Sequence, residues 1–225
     1  MEKLVVYQSE EHYAIITLQN GKVNAISHQV IDELNEALDQ AEKDQKIVIL
    51  TGQPGIFSGG FDLKEMQKGW EEAKKLVSRG SQLSLRMLSF PMPIIAACTG
   101  HAVAKGSFLL LSSDYRLGTE GDFKIGLNEV AIGMTMHYAG IEIARGRLAP
   151  VFLERCVNNA EMFNPKEAIT AGFLDKIVPA EHVMPTAIKI AGMMTNLNLK
   201  AHKETKLKLR KELLENLAEA IEKDR

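Results

Sequence analysis

An α/β fold built on parallel sheets, ending in a helical C-terminal region, is what the hydrophobic periodicity of this chain predicts. Short runs of β-branched and aromatic residues alternate with helical patterns through the first half of the 225 residues, and such alternation generates stacked βαβ turns. Glycine-containing turns mark several strand-to-helix junctions, and beyond about residue 149 the pattern turns helical. With 45% hydrophobic and 25% charged residues, the composition is that of an ordinary globular protein whose core needs no disulfide or metal. The length suits one large domain, or one domain with an appendage.

Residues 4–7 and 13–18 are β-rich runs separated by a polar stretch, the pattern of a hairpin. From Ser27, a candidate N-cap, Val30, Ile31, Leu34, Leu38 and Ala41 fall on one helical face. Residues 46–50 form a short apolar strand stopped by Thr51-Gly52-Gln53-Pro54-Gly55. A helix starts over 62–66, and a longer one over 73–88 is stopped by Phe90-Pro91-Met92-Pro93. Residues 94–98 read as a buried strand, followed by an apolar helix over 107–112 and a strand over 115–117. The charged stretch 200–225 sets Leu207, Leu209, Leu213, Leu214, Leu217 and Ile221 along one helical face, which fits the chain's own core or a neighbouring subunit equally well. The chain accordingly divides into a core over 1–195 and an amphipathic C-terminal helix over 196–225, serving oligomerisation or covering a site.

Twenty-seven basic and 29 acidic side chains leave a formal net charge of −2, so no bulk field draws the chain to nucleic acid or acidic membranes. The longest apolar stretches are too short to span a bilayer. The opening MEKLVVYQSEEHYAI carries neither an arginine-rich leader nor an apolar signal core. Cys98 and Cys156 make neither a disulfide framework nor a metal site. A soluble, cytoplasmic protein without a metal, a nucleic-acid partner or a membrane partner is expected.

Three glycine-containing segments carry possible chemistry. Ile56-Phe57-Ser58-Gly59-Gly60-Phe61-Asp62 lies between a strand and a helix. Glycines there let backbone N–H groups turn outward, and the helix N-terminus favours negative charge. The same residues also read as nothing more than a tight turn. Gly100-His101-Ala102-Val103-Ala104-Lys105-Gly106-Ser107 repeats the arrangement. Two such loops can each aim one N–H at a single oxygen and polarise a thioester or ester carbonyl. Neither matches a phosphate loop or a dinucleotide fingerprint. Lys105 also reads as an exposed loop cation whose side chain has no role. In Ile125-Gly126-Leu127-Asn128-Glu129-Val130-Ala131-Ile132-Gly133, a lone carboxylate sits in an apolar stretch. Burial raises a carboxyl pKa and suits Glu129 to accept and return protons; a helix cap or a solvent-facing side chain is the alternative. His137 reads as a core or rim imidazole, and Met134 and Met136 as core fillers or pocket lining.

In this order, the three loops resemble the crotonase superfamily of enoyl-CoA hydratases and isomerases. Gly21-Lys22-Val23-Asn24-Ala25-Ile26-Ser27 is similar to the family's Asn-Ala-Leu-Ser segment. Phe57-Ser58-Gly59-Gly60-Phe61-Asp62-Leu63-Lys64-Glu65-Met66 is similar to its Phe-Ser-Ala-Gly-x-Asp-Leu-x-Glu-Met signature. Gly100 to Ser107 followed by Asp114-Tyr115-Arg116, and the late Ala171-Gly172-Phe173-Leu174-Asp175-Lys176-Ile177-Val178-Pro179, complete the match.

The resemblance implies the crotonase-type (ClpP/crotonase) ββα spiral and a homotrimer or dimer of trimers. It assigns the oxyanion hole to the backbone N–H groups of Phe61 and Lys105. It lays Lys22, Val23, Ala25, Gly59, Asp62, Leu63 and Gly106 along coenzyme A, which arrives as part of an acyl-CoA thioester substrate; no separate cofactor is implied. Family hydratases hold water between two glutamates, and the first of those positions is Phe108 here. A phenyl ring neither accepts a proton nor orients water. The second falls on Glu129, within Gly126-Leu127-Asn128-Glu129, which is similar to the mitochondrial-type Δ3,Δ2-enoyl-CoA isomerases that rely on this one carboxylate. The expected reaction is therefore a one-base 1,3-proton shift. Hydratase or acyl-CoA hydrolase chemistry on the same scaffold, and a non-catalytic acyl-CoA-binding subunit, are the alternatives.

Overall fold

In the computed structural model, which describes residues 3–225, the chain winds as a spiral that lays one strand in each of two sheets before crossing back through a helix. The start is the expected hairpin, β1 (Val5–Ser9) antiparallel to β2 (Tyr13–Leu18). Ser27 then caps α1 (His28–Lys43) by accepting from the Val30 amide at 3.2 Å, and the residues of the expected apolar face are buried. β3 (Ile47–Thr51) joins the first sheet, and β4 (Gly55–Ser58) starts the second. Two helices follow, α2 (Leu63–Met66) and α3 (Trp70–Ser89). The second turn repeats the plan with β5 (Ile94–Cys98), β6 (Gly100–Val103) and α4 (Lys105–Leu111), and the third continues with β7 (Tyr115–Thr119) and β8 (Ile125–Gly126).

The large sheet has the order β1-β2-β3-β5-β7-β10, where β10 is Lys176–Val178, and it is parallel from β2 onward. Its central strands are buried on both faces, which is why they read as continuous apolar runs. Val48, Leu50, Ile94 and Ala96 enter the main core, while Ile47, Ile49, Ile95 and Ala97 point the other way onto Val183, Ala187 and Ala191 of α8 (Val183–Met194). The small sheet runs β4-β6-β8-β9, with β9 at Met162–Phe163. Gly100 permits the β4–β6 contact, because a Cβ there would overlap the Gly55 backbone.

Residues 56–58 and 100–103, expected as parts of loops, are therefore strands, and the chemistry-bearing turns are shorter than the sequence suggests. Isolated stretches of four residues, edged by glycine, have too little periodicity to announce themselves as strands. The second half holds α5 (Tyr138–Arg147), α6 (Leu153–Val157) and α7 (Pro165–Ala171), but β9 and β10 interrupt its helices. The single amphipathic helix expected over 196–225 is instead two, α9 (Leu199–Leu209) and α10 (Lys211–Lys223), parted at Arg210. Leu217 and Ile221 of α10 are buried in the chain's own main core, whereas Leu209 is 82% exposed. Among the described residues, no helix is long and apolar enough to cross a membrane.

Candidate active site

Asn24 organises the first loop. This residue has a left-handed φ of 52° and is fully buried. Its side-chain amide donates to the carbonyls of Leu18 at 3.0 Å and Phe57 at 3.1 Å, and its Oδ1 accepts from the Asn20 amide at 2.7 Å. The Ser58 hydroxyl donates to Asn24 O at 2.8 Å, and the Gly59 amide to Val23 O at 2.8 Å. Loop 20–26 is thereby stitched to the end of β4. The exposed Lys22, Val23, Gly59 and Leu63, together with half-buried Ala25 and Asp62, form one edge. Asp62 is also the N-cap of α2, accepting from the Lys64 amide at 2.8 Å. Gly106 sits apart from that edge: it is buried, and a Cβ there would overlap the Ser58 carbonyl, so it serves the packing of α4 on β4.

The two turns meet. A Cβ built on Gly60 would stand 3.0 Å from the Ala104 Cβ and 3.6 Å from the Lys105 amide nitrogen. Around Phe61, Ile26 N donates to Gly60 O at 2.8 Å and Asp62 N to Ile26 O at 3.0 Å. Around Lys105, Ala104 N donates to Gly126 O at 3.0 Å and Phe108 N to Ala104 O at 3.1 Å. Among the described residues, the N–H groups of Phe61 and Lys105 themselves donate to no backbone carbonyl. They are the free donors of two touching turns, and Lys105 is the first residue of a helix, where the intrahelical ladder has no acceptor for it. Such a pair suits an oxygen that gains negative charge.

The Lys105 side chain is not the exposed loop cation that its position allows. It is buried, and its amine donates to Gly80 O and Ser84 Oγ, each at 2.6 Å. Burial pushes its pKa down to about 7. The Phe61 ring lies on α3 at the same place, since a Cβ on Gly80 would overlap it. Gly80 and Ser84 were not among the expected site residues; their signal in the sequence is a patch of small side chains one turn apart in an otherwise bulky helix.

The third segment is tied to the second. β8 pairs in parallel with β6, and Gly126 N donates to the Ser107 hydroxyl at 3.1 Å, which in turn donates to Ala102 O at 2.6 Å. Glu129 follows three residues later as the first residue before a 3-10 turn over Val130–Ile132. Its side chain is buried, with 7% exposure, and its Oε2 has no hydrogen-bond partner. Burial raises its pKa to about 7, so the carboxyl is poised to gain or lose a proton near neutrality. Phe108 is fully buried on α4, edge-on to the His137 ring at 5.7 Å between centroids. Gly140 leaves room for this contact, because a Cβ there would lie 2.8 Å from His137 Cε1 and 3.0 Å from Phe108 Cζ. Burial takes His137 down to about 4, with Asp224 opposing and Lys105 reinforcing the shift. It is a neutral rim imidazole at pH 7. Cys98 and Cys156 are both free and buried, and burial pushes the Cys98 thiol up to about 12, which makes it an inert core residue.

The family model described as enoyl-CoA hydratase/isomerase matches residues 8–225. A crystal structure of an enoyl-CoA hydratase/isomerase family protein from Pseudomonas syringae superposes with a TM-score of 0.97 at 60% identity, covering 98% of this chain and 96% of that one. A probable enoyl-CoA hydratase of Bacillus subtilis is 34% identical over 169 residues, 73% of this chain and 65% of the Bacillus protein. The mitochondrial enoyl-CoA delta isomerase 1 of Mus musculus is 29% identical over 226 residues, 98% of this chain and 78% of the mouse protein.

Proposed function

The chain belongs to the enoyl-CoA hydratase/isomerase family, and on that footing we propose that it isomerises a 3-enoyl-CoA to the 2-trans-enoyl-CoA with Glu129 as its single base. The thioester carbonyl oxygen accepts from the amides of Phe61 and Lys105. The Glu129 carboxylate removes a proton from C2, the C–H electron pair moves into the conjugated system, and a dienolate forms with its charge on that oxygen. The protonated Glu129 then delivers the proton to C4, and the double bond comes to rest between C2 and C3. Acid–base assistance of this kind is typically worth ~10²–10⁴-fold, and each oxyanion donor ~10²–10³-fold. The CoA moiety runs along the edge formed by Lys22, Val23, Ala25, Gly59, Asp62 and Leu63.

The observation that carries this reading is the contrast between Glu129 and Phe108. One buried carboxyl titrates near neutrality, and a fully buried phenyl ring fills the position where a second carboxylate would hold water. One base suffices for a proton shift between two carbons of the same substrate. Hydration of a 2-enoyl-CoA is the second reading; the neutral His137 beside Phe108 would orient the water by a hydrogen bond, since burial disfavours its protonated form.

The deciding assay supplies 3-hexenoyl-CoA in deuterated water to wild type and Glu129→Gln. Formation of 2-hexenoyl-CoA by wild type, reduced by 10²-fold or more in the variant, supports the one-base shift. Accumulation of 3-hydroxyhexanoyl-CoA from 2-hexenoyl-CoA supplied in a parallel assay, abolished by His137→Phe, supports hydration. Release of free CoA points to thioester hydrolysis, and tight binding without turnover to an acyl-CoA-binding subunit.

A further inference from the structure

A lysine buried away from any carboxylate is costly to keep in a folded chain. Lys105 is 2% exposed, burial alone displaces its titration, and its amine rests on two neutral oxygens, Gly80 O and Ser84 Oγ. What this arrangement accomplishes is visible at the backbone end of the residue. Ala104, immediately before it, adopts φ 51° and ψ −120°, a conformation that suits glycine and strains any residue with a Cβ. Strained backbone of this kind persists only when its surroundings over-determine it. Two attachments do so here. The Ala104 amide is held by Gly126 O at 3.0 Å, and the residue after it is tied through its side chain to α3, 21 and 25 positions earlier in the chain. Between the attachments lies the Ala104–Lys105 peptide, whose N–H is one of the two free donors and whose nitrogen is 3.6 Å from where a Gly60 Cβ would stand.

We propose that Lys105 is a positioning residue: its amine, anchored on Gly80 and Ser84, holds the Ala104–Lys105 peptide in the strained orientation that presents the Lys105 N–H to the substrate carbonyl. The link to catalysis rests on the isomerase reading given above, whereas the link to the backbone does not. Gly80 is part of the device. With no Cβ it admits the Phe61 ring, which a methyl group there would overlap, while the lysine stem passes in ordinary contact, its Cε 3.4 Å from where that methyl would stand. The residues bearing both donors are thus braced against the same turn of α3.

The test uses Lys105→Met, with Ala104→Gly as the rescue. Methionine keeps an unbranched apolar stem, and the Ser84 hydroxyl can turn onto the Gly80 carbonyl four residues before it, so no buried acceptor is left bare. With 3-hexenoyl-CoA, Lys105→Met is expected to lower kcat ~10–100-fold, most of what one oxyanion donor contributes, with KM within about threefold. Glycine at 104 adopts the same backbone without strain, so Lys105→Met/Ala104→Gly is expected to regain most of the lost kcat. A purely packing role for Lys105 gives no reason for that rescue. Ser84→Ala, which removes one of the two acceptors, is expected to show a smaller loss with the same rescue, and it decides the matter if Lys105→Met does not fold. A kcat within twofold of wild type in both single variants, or losses that Ala104→Gly does not reverse, would overturn the proposal. If wild type turns over neither 3-enoyl nor 2-enoyl thioesters, the isomerase reading has failed on its own. Crystal structures of wild type and Lys105→Met then decide: an unchanged Ala104–Lys105 peptide in the variant refutes the positioning role, and a rotated one sustains it.

Discussion

On the proposed one-base reading, Glu129 ties activity and stability to one proton. The folded side chain holds that proton up to about pH 7, whereas its ordinary value is 4.5. The folded state therefore binds more protons than the unfolded chain between these values, and stability falls as pH rises through the window. A displacement of this size corresponds to about 3 kcal/mol. Wild type is thus expected to lose stability between pH 5 and pH 8 relative to Glu129→Gln, which has no such proton. Lys105 titrates in the same range, but it is present in both proteins and drops out of the difference. Urea unfolding of the pair at the two pH values reads the effect, and parallel curves at both would show that the carboxyl is hydrated. On the one-base reading proposed above, activity runs the opposite way: only ionised Glu129 would remove a proton, so kcat/KM is expected to rise with pH through a midpoint near 7. At this scale the sequence is half readable. An isolated glutamate in an apolar stretch is visible, but the fate of Lys105 is not, because its acceptors Gly80 and Ser84 belong to a helix some 20 residues away.

Elements are held in place here by charge as well as by apolar burial. Asp114 sits at the start of β7, accepts from the Ile94 amide at 2.8 Å, and receives Lys206 at 2.7 Å and Arg210 at 3.0 Å from the C-terminal helices. Lys206 also donates to Phe90 O and Met92 O, and Arg210 to Leu88 O, so the cluster pins α9 across the end of α3 and the chain entering β5. Asp114→Asn leaves two buried cations without a counter-charge, and the expected cost is ~3–5 kcal/mol. Urea titration measures it, and Asp114→Asn/Lys206→Met is expected to recover part of the loss, because the two positions are coupled. A cost under about 1 kcal/mol would show that the carbonyl hydrogen bonds alone carry the cluster. The cluster also explains why the C-terminal periodicity misleads. Lys206 and Arg210, four apart, define the inward face near the end of α9, which turns Leu209 out to solvent and breaks the stripe that the leucines suggest. Hydrophobic pattern reads an inward face only where the inward residues are hydrophobic. For α1 and for β2, β3, β5 and β7 of the large sheet they are, and those elements appear where the sequence puts them.

Across the whole molecule, the C-terminal helices belong to the body that holds the site. Leu217, Ala220 and Ile221 of α10 lie in the same core as Leu76 and Leu83 of α3 and Ile143 of α5, and α10 packs on both of those helices. Asp224, just past α10, caps α5 by accepting from the amides of Tyr138 and Ala139, each at 2.9 Å. α3 supplies the anchor for Lys105, and α5 begins just after His137, so one helix braces two walls of the site. If residues 196–225 were an appendage on a self-sufficient core, Leu217→Ala would loosen α10 alone and leave an earlier, separate transition. A shared core requires instead that the whole chain lose ~2–5 kcal/mol, the usual cost of truncating a fully buried leucine, within one cooperative transition. Two probes tell these outcomes apart. The single tryptophan, Trp70, reports the first turn of α3, and far-ultraviolet circular dichroism reports all helices together. Their urea transitions are expected to coincide in wild type and to move together in Leu217→Ala, with enzymatic activity disappearing in that same transition. A tryptophan signal that stays at its wild-type midpoint while helicity falls early would separate α10 from the core, and with it the bracing of α3 and α5 that the turns at Phe61 and Lys105 depend on.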